Sequence, residues 1–468
     1  VSTGDLLAAE QPSYHFVGIG GVGMSALAYI LASQGYHVSG SDIAPNARTR
    51  RLESLGVQFD TGHAADHLVG APQVIYSSAI QANNPEIAAA LGRGLSVCHR
   101  ATLLAQVFNG RFSIGVAGTH GKTTTSSMIG YLMLLANLDP TLIIGGEVDA
   151  WGGNARLGKG EYWVAEVDES DGSLVKLFPT VAVITNMELD HPDHYTDLQE
   201  VIAAFQQYAR QSQVLVASLD CANNASYLSP QLGYTLRDHP QAVYAARHIV
   251  YSATGTEAEI WEREQYLGKL SLQVLGAHNL SNALAAIAVG RYLGIEFPSI
   301  AAALAEFKGA HRRFEIKGEV DQVVFVDDYA HHPSEVRATL SAAALQNRRI
   351  LAIFQPHRYS RLARLYQDFL TAFDQADWVV ITPVYAAGED PIPDVSSLRL
   401  AADIAQVHPC VHYESTLAAL PMRLAERLNP GDIVLFLGAG DLNKYIPATI
   451  EAFAHYRSGS HLSGEAHP

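Results

Sequence analysis

A chain of 468 residues is too long for one hydrophobic core and points to about two to four domains. Hydrophobic residues at 48% and charged residues at 17% mark a globular protein, and a net charge of −16 argues against nucleic acid or an anionic membrane surface as partner. Three scattered cysteines, Cys98, Cys221 and Cys410, give neither a disulfide framework nor a zinc pattern, so a reducing, cytoplasmic setting is expected.

Val1–Glu10 lacks a basic and apolar leader, and no run is long and apolar enough to span a bilayer. From Tyr14 a short strand runs into glycines. Gly18, Gly20 and Gly23 have the G-x-G-x-x-G spacing, a helical pattern follows, and Gly35 is placed to end it. A second strand, Tyr36 to Ser41, ends at Asp42, where an acid could hold a ribose hydroxyl. Alone this says NAD or FAD, although the geometry suits any pyrophosphate. Val74 to Ile80 reads as a strand with Ser77 and Ser78 at its ligand-facing end, and turn chemistry is an equal reading of those hydroxyls. On its own, His63 is a loop histidine.

The stretch Arg111 to Thr125 is a strand, a glycine turn and a helix start, the form of a phosphate cradle. Gly118, Thr119, His120, Gly121, Lys122, Thr123 and Thr124 make the turn. Lys122 would reach the β/γ-phosphates of a nucleotide, and the Thr123 hydroxyl would ligate Mg²⁺. The loop is a variant, because the strict pattern wants glycine at Val116 and the glycines stand at 115 and 118. Further on, a strand from Tyr162 to Val167 delivers Glu166, and a strand from Val181 to Asn186 delivers His191. Both ends lie beside the glycine turn if the sheet is parallel. A carboxylate with one histidine suits a second Mg²⁺ that keeps waters and phosphate oxygens. Gly276 to Ala286 opens a helix with Asn279 and Asn282 near its start, either as caps or as contacts to a purine edge. Spacing alone favours capping.

The last third alternates regularly. Strands are expected over 323–326, 350–354, 378–381 and 433–437, with helices over 334–345, 362–373 and 398–407, which means another doubly wound sheet. Polar clusters follow its strands: Asp327 to His332, Gln355 to Arg361 and Gly438 to Lys444. Upstream stand His311, Arg312 and Arg313. These supply the cations that the acidic total lacks, and arginine suits a bidentate grip on carboxylate or phosphate. The tail from Arg457 to Pro468 is expected to be disordered.

Seven motifs in order, from Gly18-Ile-Gly-Gly-Val-Gly-Met-Ser25 through Gly118-Thr-His-Gly-Lys-Thr-Thr124, Glu166-Val-Asp-Glu-Ser170, Thr185 to His191, His278-Asn279 and Asp327 to Pro333 to Gln355 to Arg361, resemble the Mur ligases of peptidoglycan synthesis. The similarity runs from about Tyr14 to Lys444, and the variant turn is usual in that family. The resemblance implies an α/β protein of three domains. These are a Rossmann-like UDP-sugar domain over 1–105, a P-loop ATPase domain with a mainly parallel sheet over 106–311, and a Rossmann-like amino-acid domain over 312–468.

Residue by residue, the resemblance implies a UDP-sugar site at Gly20, Gly21, Val22, Gly23, Met24 and Ser25, with Asp42, His63, Ser77 and Ser78 beside the nucleotide. Asn154 and Ala155 match a loop near the muramyl group. Lys122 matches the phosphate-binding lysine, Thr123 the loop ligand of Mg²⁺, and Glu166 with His191 the ligands of a second Mg²⁺. Asn279 matches an adenine contact, Arg312 or Arg313 a phosphate contact, and Asp328 a ribose contact. Tyr329, His331, Arg358 and Arg361 fall where the amino acid is expected. Some branches carry a carbamylated lysine after the histidine. This chain has no lysine between Lys176 and Lys269, and Gln206 stands near that place, as in the alanine-adding branch.

The implied reaction joins L-alanine to the lactyl carboxylate of UDP-N-acetylmuramate through an acyl phosphate, with ATP and Mg²⁺ as cofactors and ADP and phosphate as products. A cytoplasmic monomer or weak homodimer is implied. The nearest rival is the recycling ligase that adds a ready-made tripeptide, whose glycine turn usually departs from the one intact here at Gly20 to Ser25. Folate polyglutamylation lacks a full UDP domain. A nicotinamide oxidoreductase rests on Gly18 to Asp42 alone, and a non-catalytic nucleotide scaffold is disfavoured by Lys122, Glu166 and His191.

Overall fold

The computed structural model describes residues 12–81, 83–170, 172–191 and 194–462. The leader reading at Val1–Glu10 lies outside the described residues, as does Asp171. Three sheets follow one another along the chain.

The first sheet holds β1 (Ser13–Val17), β2 (His37–Asp42), β3 (Gln58–Thr61), β4 (Gln73–Tyr76) and β5 (Val97–His99), all parallel in the order β3-β2-β1-β4-β5. The order reverses between β1 and β4, and at such a switch the carboxyl edge opens a crevice. Helix Val22–Ser33 starts on the glycine turn and buries Leu27, Ile30 and Leu31. Gly18 has φ +81°, a conformation that disfavours any side chain.

The second sheet holds β6 (Phe112–Ala117), β7 (Thr141–Val148), β8 (Gly153–Arg156), β9 (Tyr162–Glu166), β10 (Val181–Ile184), β11 (Val214–Ser218), β12 (Leu232–Thr235), β13 (Tyr244–Ser252), β14 (Gly255–Glu262) and β15 (Gln265–Leu272). Its order is β15-β14-β13-β12-β11-β10-β6-β9-β7-β8. Pairing is parallel from β13 to β7 and antiparallel at the two ends. Central strands such as β10 are buried along their whole length, which is why they read as unbroken apolar runs. Helices Lys122–Leu135 and Ala277–Tyr292 pack on one face, and helix Leu198–Gln211 buries Phe205 and Tyr208 on the other.

The third sheet holds β16 (Glu315–Val320), β17 (Val323–Asp328), β18 (Ile350–Phe354), β19 (Trp378–Ile381), β20 (Val411–Tyr413) and β21 (Ile433–Leu437), ordered β16-β17-β21-β18-β19-β20 with only β16 antiparallel. The chain is thus an α/β fold built on three mostly parallel sheets.

Several expectations are corrected. The strand expected to Ile80 ends at Tyr76, which leaves Ser77 and Ser78 in a loop. The helix expected over 362–373 is two short pieces, Tyr359–Arg364 and Tyr366–Phe369, broken where Leu365 leaves helical geometry at φ −104°, ψ 15°. The helix expected over 398–407 is Ser397–Ile404, started by the Ser396 side chain accepting the Arg399 amide. The tail expected to be disordered continues helix Ile446–Leu462 as far as Leu462, and residues 463–468 lie outside the described residues. Phe453, fully buried against Phe325, anchors that helix to the third sheet. Among the described residues no helix is long and apolar enough to cross a membrane.

Candidate active site

The carboxyl edges of the three sheets face one cleft of about 740 Å³. Its centre is the turn between β6 and helix Lys122–Leu135. Gly121 sits at φ +81°, and a Cβ there would lie 2.6 Å from Asn282 Oδ1. A Cβ on Gly118, at φ +138°, would run into Thr185. The loop after β10 grips the turn from below. The His120 amide donates to Asn186 Oδ1 at 2.8 Å, and Thr185 Oγ1 donates to the His120 carbonyl at 2.6 Å. The helix N-terminus therefore presents its amides and its dipole to the cleft.

Lys122 closes on its own loop. Nζ donates to the Gly118 carbonyl at 2.6 Å, to Thr119 at 3.1 Å and to both oxygens of Glu169 at 2.9 and 3.0 Å. Burial works against its charge, but Glu169, Asp168 and Glu166 outweigh burial and raise its pKa, so the ammonium is permanent. Thr123 and Thr124 lie buried in the first helical turn.

Glu166, at the end of β9, accepts the Gly145 amide at 2.8 Å. Burial raises its pKa despite Lys122, Thr123 and Arg313. His191 has φ +54°, a rare conformation for a side-chain-bearing residue, and its Nε2 lies 3.4 Å from Glu169 Oε1. Burial lowers its pKa, but the contacts with Glu169, Asp190 and Asp168 raise it overall. The ligand atoms of Asp168, Glu169 and His191 all lie within 4.8 Å of one another. This corner of the cleft thus offers the oxygen donors that a hard divalent ion takes. Sequence reasoning named Thr123, Glu166 and His191, and missed Asp168 and Glu169 as donors although both stand in the acidic run after Glu166.

Position 145 decides where Glu166 points. A Cβ there would lie 2.2–2.4 Å from the Glu166 carboxylate. Gly145→Ala is expected to swing that carboxylate away and lower turnover about a hundredfold, with little loss of thermal stability. Steady-state kinetics at varied Mg²⁺ would check this, and an unchanged Mg²⁺ requirement would refute it.

The third sheet supplies the cations. Arg312 and Arg313 both stack on Tyr329, with guanidinium carbons 4.8 and 5.2 Å from the ring centre. Arg312 turns away and donates to the Gly438 carbonyl at 2.6 Å, whereas Arg313 Nη2 reaches Thr123 Oγ1 at 3.4 Å. Arg313 is therefore the member of the pair directed at the phosphate cradle. Arg361 grips Asp190 with Nε and Nη2, at 2.9 and 3.3 Å, and is nearly buried. Arg358, at φ +68°, borders the same cleft. His331 Nδ1 donates to the Tyr329 carbonyl at 2.9 Å, which leaves the Nε2 lone pair available. Burial first, and then Arg361, push His331 down to about 4.

The first sheet contributes Val22 and Gly23 to the cleft wall, with Arg48 and Arg100, which sequence reasoning did not single out. Arg100 Nη2 meets Asp168 Oδ2 at 3.1 Å, and its Nη1 lies 2.6 Å from where a Cβ on Gly23 would stand. Gly20 donates its amide to Asp42 Oδ2 at 2.8 Å. Gly21 caps helix Val22–Ser33, inside which Met24 and Ser25 are buried. Asn154 Nδ2 donates to Val22 O and Ser25 Oγ and ties β8 to that helix, next to buried Ala155. Ser77 abuts Gly18, and Ser78 Oγ lies 3.0 Å from His99 Nε2. His63 joins a buried cluster beneath this edge.

Other expected residues stand apart from the cleft wall. Asp328 accepts the Phe314 and Ala330 amides, and burial pushes it up to about 6. The capping reading of Asn279 and Asn282 is overturned. The helix cap is Gly276, without a side-chain cap bond, while Asn279 donates to the Leu275 carbonyl and Asn282 accepts from Thr125. Asn282 meets helix Lys122–Leu135 because the two helices pack side by side, and its Nδ2 donates to Asn279 Oδ1. Gln206 donates to the Tyr227 carbonyl and is turned to the neighbouring helix, not the cleft.

Comparison with known proteins agrees with this layout. Residues 13–112 match the model described as "Mur ligase family, catalytic domain", residues 116–290 the "Mur ligase middle domain" and residues 312–440 the "Mur ligase, glutamate ligase domain". A Synechococcus sp. protein named UDP-N-acetylmuramate–L-alanine ligase is 69% identical over 443 residues, covering 94% of this chain and 92% of its own. A Gloeobacter violaceus protein of the same name is 57% identical over 437 residues, covering 93% and 95%. The crystal structure of a UDP-N-acetylmuramate–alanine ligase from Thermotoga maritima superposes with a TM-score of 0.81 at 29% identity, covering 96% of this chain and 99% of that one. A murein peptide ligase from Psychrobacter arcticus shares the fold, with a TM-score of 0.71 at 23% identity and coverage of 95% and 99%.

Proposed function

The chain belongs to the Mur ligase family, and from that premise we propose that it joins L-alanine to the lactyl carboxylate of UDP-N-acetylmuramate, with ATP as the energy source, in peptidoglycan precursor synthesis in the cytoplasm. The observation that carries this reading is the convergence of the Lys122 turn, Glu166 with His191, and the Arg358 segment on one cleft. The first sheet, within residues 1–105, would hold the UDP-sugar. The second, within 106–311, would hold ATP, and the third, within 312–468, the amino acid.

The first step brings two anions together. The lactyl carboxylate attacks the γ-phosphorus, and ADP departs. Lys122 and Arg313 screen the charge that spreads over the transferring group. Thr123 would hold one Mg²⁺, and Glu166 with His191 a second, with Asp168 and Glu169 as further donors beside His191. Such ions neutralise phosphate charge and orient the oxygens for in-line transfer. Once phosphate occupies the turn, Lys122 would exchange part of its grip on Glu169 for phosphate oxygens.

In the second step the alanine amine attacks the acyl carbon and phosphate leaves. The Nε2 of His331 would accept the amine proton, a role supported by the Tyr329 carbonyl holding the other ring hydrogen. Arg358, which borders the cleft, would take the alanine carboxylate, while Arg361 grips Asp190. His331→Ala is expected to keep acyl-phosphate formation, trapped as hydroxamate, while amide formation falls about a hundredfold or more. With the folded value lowered to about 4, His331 stays unprotonated above roughly pH 5, so kcat at saturating alanine should show no histidine limb between pH 8 and pH 6. A limb there that disappears in His331→Ala would refute the assignment of a depressed value.

The function as a whole is tested by phosphate release. It should require both UDP-N-acetylmuramate and L-alanine, and alanine should outperform the tripeptide. Preference for the tripeptide would establish the recycling reaction instead. The identity of 48–69% to curated proteins bearing the alanine-ligase name favours alanine.

A further inference from the structure

Beneath the first sheet's carboxyl edge lies a buried charge that the chemistry above does not use. Glu86, in helix Pro85–Gly92, is fully buried. Its Oε2 accepts from Ser41 Oγ at 2.6 Å and lies 3.4 Å from His15 Nε2. Its Oε1 accepts from His67 Nδ1 at 2.8 Å and from the Ala64 amide at 3.2 Å. Burial pushes the carboxyl up, but hydrogen bonds from His15, Ser41 and His67 outweigh burial and hold it at about 2. At neutral pH it therefore accepts and never donates.

This fixes the direction of the next bond. Ser41 has one hydroxyl hydrogen, and at 2.6 Å from a carboxylate oxygen that hydrogen must point to Glu86. Ser41 Oγ is then an acceptor towards His63 Nδ1, 2.9 Å away. Nδ1 must carry a hydrogen, and the neutral ring has only one. His63 Nε2 is left as a lone-pair acceptor on a ring whose side chain is 17% exposed.

His63 lies just past the carboxyl end of β3, on the edge proposed above for the UDP-sugar. The neighbouring Gly62 amide donates to the Asp42 carbonyl at 2.7 Å, and Asp42 Oδ2 in turn holds the Gly20 amide of the glycine turn. We propose that Glu86, acting through Ser41, is a positioning residue that sets His63 as a hydrogen-bond acceptor, and that this acceptor selects uracil, which offers N3–H, over cytosine, whose N3 is itself an acceptor. This rests on the reading of the first sheet's edge as the UDP-sugar site. Two lone pairs facing each other at a partly desolvated position exclude cytosine more strongly than a missing contact would.

The test compares UDP and CDP binding by calorimetry on the full chain, wild type against Ser41→Ala and Glu86→Gln. Wild type should prefer UDP by about a hundredfold. Ser41→Ala frees the ring to carry its hydrogen on Nε2, so the preference should fall below about tenfold, chiefly through a gain for CDP, with ATP affinity unchanged. Glu86→Gln can reverse the Ser41 bond and should shift preference the same way. The ¹⁵N signal of His63 Nε2 should be that of an unprotonated nitrogen in wild type and move towards the protonated form in Ser41→Ala. Should Glu86→Gln fail to fold, Ser41→Ala decides alone. A wild-type ratio retained in Ser41→Ala, an equal loss of both nucleotides, or a wild type that binds UDP without preference would each overturn the proposal. A wild type that binds neither UDP nor UDP-N-acetylmuramate would overturn the site reading itself, and that result is visible before any variant is made.

Discussion

Lys122→Ala should lose at least about a thousandfold in turnover while UDP-N-acetylmuramate binding stays within a fewfold of wild type. Lys122 is fixed inside the phosphate turn by the carbonyls of Gly118 and Thr119, and the turn's other cation, His120, is held by Glu335 and Glu188 and cannot take its place. The edge proposed for the UDP-sugar belongs to a different sheet, so its contacts should survive. The variant also has a cost in stability. Glu169 is 2% exposed, and without Lys122 it keeps, among the described residues, the His191 contact at 3.4 Å. An unpaired buried carboxylate costs about 3–5 kcal/mol. The double variant Lys122→Ala with Glu169→Gln separates the two effects. It should regain much of the thermal stability and none of the activity. Recovery of turnover in the double variant would mean that the lysine neutralises Glu169 and does nothing for phosphate. Loss of UDP-sugar binding together with turnover would mean that the two sites are not independent.

The two arginines beside the expected alanine site should separate just as clearly. Arg358→Ala is expected to raise the KM for alanine about 10- to 100-fold, the worth of hydrogen bonds to a charged group. Arg361→Ala is expected to destabilise the protein by about 3–5 kcal/mol, because Asp190 is 5% exposed and pairs with this guanidinium through both oxygens. Adding Asp190→Asn to Arg361→Ala should recover part of that loss. The Arg361–Asp190 pair joins the third sheet to the loop that carries His191, so its loss should also lower kcat by freeing the closed arrangement. Thermal melts and alanine saturation curves on the two single variants decide the matter. If Arg361→Ala raises KM selectively at unchanged stability, the roles are the reverse of those argued here.

A second contact ties the same two sheets. His120 of the phosphate turn lies 3.0 Å from Glu335 and 3.4 Å from Glu188, and Ser334 donates to Glu188 at 2.7 Å. Burial would lower the pKa of His120, but the two carboxylates raise it to about 10. Its stabilising contribution is complete below the ordinary histidine range and fades only as pH rises through about 10. Near neutral pH the third sheet is therefore latched to the turn that would hold phosphate.

Much of this was legible in the residues alone. The apolar runs of β6, β10 and β21 and the glycine turns at 18–23 and 118–121 are dictated by neighbours in sequence, because strand burial and left-handed backbone are local demands. The motif set likewise pointed to three α/β units and to a ligase. The antiparallel meander of β13 to β15 escaped notice, since half-exposed strands at a sheet's end carry a weaker apolar signal. The partners of Asn279 and Asn282 also escaped, since Asn279 turns back to the Leu275 carbonyl and the Asn282 oxygen is taken by Thr125 of the neighbouring helix. Partner choice was decided by the tertiary structure. Lys122 with Glu169, His120 with Glu335, Arg361 with Asp190 and Glu86 with its histidines are separated by tens to hundreds of residues. A buried charge takes whichever opposite charge the sheet order and register bring within hydrogen-bond reach. Spacing along the chain carries no record of that distance.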